Sequence, residues 1–143
     1  MGTSLAARAG VAFGAFYVAI GVIGFFITGF GGALTGDHGD SLLGIHINQF
    51  QNIVHIGIGA FLLILSLQKN DAAAEGAVMG VGLFYVVAFV IGVTAADNLT
   101  ILGISSAGDP ANFFHLVSGV ALLTIGLLSS AATATNARKR GLA

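Results

Sequence analysis

The chain has 143 residues, of which 56% are hydrophobic and 8% charged, with a formal net charge of -1 and a mean hydropathy of +0.96. That composition lies far outside the soluble range and marks an integral membrane protein, and five Lys and Arg residues are too few for a nucleic-acid footprint. With no cysteine, disulfides, thiolate metal centres, iron–sulfur clusters and cysteine nucleophiles are excluded.

Four stretches lack Asp, Glu, Lys and Arg: Ala9 to Gly36, Ser41 to Gln68, Gly76 to Ala96 and Pro110 to Ala137. Each can cross a bilayer as a helix of about 20 residues, because a helix satisfies its own backbone in hydrocarbon. The predicted spans are about 9–31, 46–67, 76–96 and 111–132. The first follows Ala6-Ala7-Arg8, as a signal peptide would, but it is longer than a typical signal core and matches the third span at Gly14, Phe16, Tyr17, Val22, Ile23 and Gly24. It is therefore read as a retained helix. Asn48 is placed to cap the second helix, and Asp109-Pro110 to start the fourth.

The expected fold is all-α, a polytopic four-helix bundle forming a single transmembrane domain over 1–143. Repeat one covers about 9–67, repeat two about 76–132, and 133–143 is a basic tail. The basic residues Arg8, Lys69, Arg138, Lys139 and Arg140 all fall on one side after four crossings. Asp37 and Asp40, with Asp97 and Asp109, fall on the other. The positive-inside bias then places both termini in the cytoplasm and both long loops outside, in a bacterial plasma membrane.

The repeats are visible in two pairs of motifs. Gly14-Ala-Phe-Tyr17-Val through Val22-Ile-Gly24 returns as Gly82-Leu-Phe-Tyr85-Val through Val90-Ile-Gly92. Asn52-Ile-Val-His55-Ile-Gly-Ile-Gly59 returns as Asn112-Phe-Phe-His115-Leu-Val-Ser-Gly119. Equivalent helices run in the same direction, so the two halves are expected to be parallel repeats about an axis along the membrane normal. Among the 22 glycines, Gly10, Gly14, Gly59, Gly76, Gly80 and Gly119 are expected at close helix crossings, where a missing side chain lets backbones approach.

In the second motif, Asn, His and Gly at i, i+3 and i+7 share one helical face. Asn52 and His55, like Asn112 and His115, should therefore face the bundle interior, since exposing them to lipid is costly. Two readings stay open. In one, the polar side chains hydrogen-bond between helices, at roughly 1 kcal/mol per contact. In the other, the two imidazoles hold a ligand: haem through both histidines, a divalent metal, or a quinone or lipid among Phe50, Phe113, Phe114, Tyr17 and Tyr85. No Arg or Lys sits on the outer side to meet haem propionates. His38, His46, Asp37 and Asp40 in the first long loop are candidate metal ligands, although a solvated turn also explains them. An outward-facing pH or metal sensor is a further alternative.

The repeated Asn-x-x-His motif, the four spans and the acidic outer loops resemble a family of small four-helix bacterial, actinobacterial-type membrane proteins of unknown function. The resemblance implies the fold and a bacterial plasma-membrane location, and carries no activity with it. No nucleophile motif or phosphate loop is present. The expected role is a non-enzymatic accessory or structural subunit, embedded in the lipid bilayer and associated with a membrane-protein partner or with itself, most simply without a cofactor. The alternative is the ligand-binding or redox protein built on His55 and His115.

Overall fold

The computed structural model describes residues 3–31, 40–95 and 107–141. In chain order it runs α1 (Leu5–Thr28), the short strands β1 (Ser41–Leu42) and β2 (Ile45–His46), α2 (Gln49–Leu67), α3 (Asp71–Ala95) and α4 (Pro110–Lys139). All four helices are long and apolar enough to cross a membrane, and they pack as a bundle. The chain is a multi-pass membrane protein.

Local chemistry sets the helix ends, and it moves several predicted boundaries. Ser4 caps α1 by accepting from Ala7 N at 3.2 Å, so the helix starts at Leu5 rather than near residue 9. It stops at Thr28 instead of 31 because Gly29 takes a φ of 71°. The second span begins at Gln49 rather than 46. Residues 41–46 form an antiparallel hairpin, turning through Leu43 and Gly44 at φ 54° and 80°. Asn48 then caps α2 with a reciprocal box, its Oδ1 accepting from Gln51 N at 2.8 Å and its own N donating to Gln51 Oε1 at 3.0 Å. Asn70 accepts from Ala73 N and starts α3 at Asp71, five residues before the apolar run. Asp109 and Pro110 open α4 as expected, and α4 continues past 132 to Lys139 because nothing in Ala131–Ala137 breaks a helix.

The tightest pairings are α1 with α2 and α3 with α4; α1 also touches α3 across the centre. Small residues make those crossings close. A Cβ at Gly14 would lie 2.8 Å from Gly59 O, and one at Gly82 would lie 3.0 Å from Gly119 O, so matched positions make the same contact in both hairpins. Leu62 and Leu122 are fully buried at corresponding positions. Gly10 lies against Ser66. Gly76 and Gly80 are a correction: both face outward, with nothing within 4 Å of an added Cβ. Counting from Gly82, which does face α4, Gly80 lies about 200° around the helix and must point away. Bulky apolar side chains such as Phe26, Phe30, Ile64 and Phe113 line the outside, as lipid permits.

The end of the bundle bearing the α2–α3 turn is tied by a buried carboxylate. Glu75 Oε1 accepts from Ser129 Oγ at 3.0 Å and Thr133 Oγ1 at 2.8 Å, while Ser129 Oγ also accepts from Ala6 N at 3.2 Å. One acid thereby joins α1, α3 and α4. Glu75→Ala should strand both hydroxyls and destabilise the protein by about 1–3 kcal/mol. Glu75→Gln, which keeps an accepting oxygen, should lose less than half as much, as thermal unfolding in detergent will read.

Candidate functional site

Where α1 and α3 touch, their matched tyrosines meet. Tyr17 and Tyr85 are 3% and 2% exposed, and their rings stack with centroids 5.2 Å apart at 22°. Each carries a histidine on its flank. His55 of α2 stacks on Tyr17 at 5.8 Å and 4°, and His115 of α4 packs on Tyr85 at 5.4 Å and 32°. The four rings run His55, Tyr17, Tyr85, His115, so the tyrosine pair links the two imidazoles, and both imidazoles line one cavity.

Beside this stack lies a cavity of about 580 Å³ between α2 and α3. Its walls are mostly apolar, including Phe50, Val54, Ile58, Phe84, Val87, Ala88 and Ile91, with Ile45, His46 and Ile47 of the hairpin region at one end. His55, Tyr85 and His115 also line it. Phe84 and Val87 are about half exposed on the outer surface of α3, so the cavity reaches the lipid-facing side of the bundle. Its size is that of a small-molecule pocket.

Tyr85 Oη and His115 Nδ1 are both buried and make no close hydrogen bond among the described residues, the Tyr85 hydroxyl facing that of Tyr17. Tyr17 Oη, in the same stack, also makes no close hydrogen bond among the described residues, with Ser118 and Tyr85 beside it. Leaving a buried polar atom unsatisfied costs about 1–3 kcal/mol, so such atoms gather where something else is to be bound.

The asparagines do different work. Asn52 and Asn112 are each 1% exposed. Asn52 Nδ2 donates to Thr28 Oγ1 of α1 at 3.0 Å, and Asn112 Nδ2 donates to Ala107 O at 3.1 Å. Each amide packs where the preceding helix has a glycine: a Cβ at Gly24 would collide with Asn52 Oδ1, and one at Gly92 with Asn112 Oδ1. The Val-Ile-Gly and Asn-x-x-His motifs are therefore two sides of one contact. The asparagines hold each hairpin together near its loop end, one turn from the histidine that faces the cavity.

Of the candidate metal ligands, Asp37 and His38 lie outside the described residues. His46 is an exposed residue of β2 at the cavity end, and Asp40 precedes the hairpin, its backbone oxygen accepting from Ile47 N. Among the described residues no three His, Cys, Asp or Glu side chains converge as metal ligands would. Gln49 is a site-end residue that sequence reasoning missed. It is 3% exposed and donates to Thr28 O at 3.3 Å and Gly31 O at 2.8 Å, securing the end of α1 over the site. Its place one residue after a helix cap was the available signal.

No curated protein and no solved structure matches the chain. Residues 8–128, which run from the first turn of α1 into α4 and carry both copies of each motif, match one family model. The chain belongs to that family, described as a domain of unknown function (DUF4383).

Proposed function

We propose that this protein is a multi-pass membrane protein that binds an uncharged, membrane-dissolved small molecule in the cavity between α2 and α3. One observation carries the reading. A mostly apolar cavity reaching the lipid-facing surface is lined by two buried groups, Tyr85 Oη and His115 Nδ1, that have hydrogen-bonding capacity and make no close hydrogen bond among the described residues. The apolar walls suit a ligand partitioned into the bilayer, and these two atoms suit a polar head on it.

In this reading the two hairpins are parallel repeats, and the basic termini and α2–α3 turn face the cytoplasm. The cavity then lies in the outer half of the membrane, entered from the lipid, with the hairpin at its aqueous end. The role is binding rather than catalysis.

Ala88 lines the cavity from α3 and is half-buried. Ala88→Phe fills that space without removing any polar group. Native mass spectrometry of gently extracted protein should find a small hydrophobic molecule bound one to one in the parent and absent from the variant, with helicity equal in both. Recovery of annular phospholipid alone, unchanged by Ala88→Phe, would refute the reading.

A further inference from the structure

We propose that the molecule bound in the α2–α3 cavity is a quinone and its quinol, a planar uncharged ring with oxygens on opposite edges and an apolar tail; this rests on the cavity being a ligand site. Three features of the cavity select that chemistry.

The first is charge. None of the described residues lining the cavity is Asp, Glu, Lys or Arg. A fatty-acid carboxylate or a phospholipid headgroup would bring a charge into mostly apolar walls that offer no permanent cation among the described residues, only histidines, which is unfavourable. The head must be neutral.

The second is the kind of polar atom left without a close hydrogen bond. A phenol hydroxyl donates or accepts, and a neutral imidazole nitrogen does either according to its tautomer. Asn52 and Asn112, the fixed-polarity amides nearby, are engaged in the α1–α2 contact and in the turn before α4. Gln51, whose Oε1 accepts from Asn48 N, lines the cavity as well, together with His46 and His55, but Tyr85 and His115 carry the buried atoms that make no close hydrogen bond among the described residues, and both can reverse their role. A quinone offers only accepting carbonyls, and its quinol offers donating hydroxyls. Tyr85 and His115 can satisfy both redox forms without any movement of charge.

The third is shape. Tyr85, His115, His55, Phe84 and Phe50 give the polar end aromatic walls, suited to packing on a flat ring. Val54, Ile58, Val87 and Ile91 continue from there along α2 and α3, and Val87 is exposed at the lipid side, a path for an alkyl or isoprenoid tail.

The chain supplies its own probe. It has two tyrosines and no tryptophan, and both tyrosines lie in the ring stack, so intrinsic fluorescence reports on this site alone. The full chain in detergent should be titrated with decyl-substituted benzoquinone, the matching quinol, decylphenol and decylbenzene. Quinone and quinol should quench with Kd values within about threefold of each other. Decylphenol should be about tenfold weaker and decylbenzene about a hundredfold, one tenfold step for each hydrogen bond lost. Decylphenol or decylbenzene binding as tightly as the quinone would overturn the quinone assignment while leaving the cavity a ligand site. Failure of all four to bind would overturn the ligand site itself.

Discussion

Alanine at Gly59 or Gly82 should destabilise the protein by about 2–3 kcal/mol, and valine at either should leave little folded material, while alanine at Gly80 should be neutral or slightly stabilising. The reason is what the first added carbon meets. At Gly59 a Cβ would sit 2.6 Å from Gly14 O and 2.7 Å from Val18 N; at Gly82 it would sit 2.7 Å from Leu123 N and 3.0 Å from Gly119 O. These are backbone atoms of the paired helix, with no flexible side chain to swing aside, so the helices must separate along the whole crossing. In lipid, close van der Waals contact is a main source of helix association, and separation forfeits it. Gly80 lies two residues from Gly82 on the same helix and has nothing within 4 Å of the added carbon. Size-exclusion monodispersity and thermal unfolding in detergent will rank the three positions. Equal tolerance at Gly80 and Gly82 would mean that the α3–α4 crossing is not as close as described.

That contrast also shows what the sequence could and could not reveal. Four apolar runs separated by charged or polar turns are enough for a membrane bundle, because lipid admits few other structures for such a chain. The boundaries moved where a side chain outvoted hydropathy: Ser4, Asn48 and Asn70 each begin a helix where capping is satisfied, not where apolar residues begin. Spacing alone made Gly76 and Gly80 look like a packing motif. Small residues in a row mark a face that can pack, and which face turns inward depends on the partner helix. The repeated motifs mark residues that meet in the fold but hide their relation. Asn52 was legible as polar and interior, yet only the folded chain shows that Gly24 exists to make room for it, and that Gly92 does the same for Asn112. The sequence leaves His55 and His115 as either interhelical polar contacts or the two sides of a ligand site. The tyrosines that link them were in the matched motif all along, but the α1–α3 contact that stacks them is set by three-dimensional packing that no local pattern encodes.

Tyr85→Phe should raise the stability of the empty protein and weaken ligand binding, a pairing of signs that a purely structural tyrosine would not give. The hydroxyl of Tyr85 is buried and faces that of Tyr17 without a close hydrogen bond among the described residues, so its desolvation is poorly compensated when the cavity is empty. Removing it while keeping the ring preserves the stack with Tyr17 and His115 and relieves a penalty of about 1 kcal/mol or somewhat more. With ligand bound, that hydroxyl makes a hydrogen bond, and the variant loses about tenfold in Kd for the decyl-substituted benzoquinone. Tyr17→Phe is the control. Tyr17 Oη is equally buried, but Tyr17 is not among the residues lining the cavity, so its variant should change affinity little. Thermal unfolding with and without the benzoquinone measures both quantities in one experiment. Ligand should raise the Tm of the parent and of Tyr17→Phe by similar amounts and that of Tyr85→Phe by much less. If Tyr85→Phe is instead less stable than the parent when empty, its hydroxyl is held by a structural bond, and the functional weight shifts to His115.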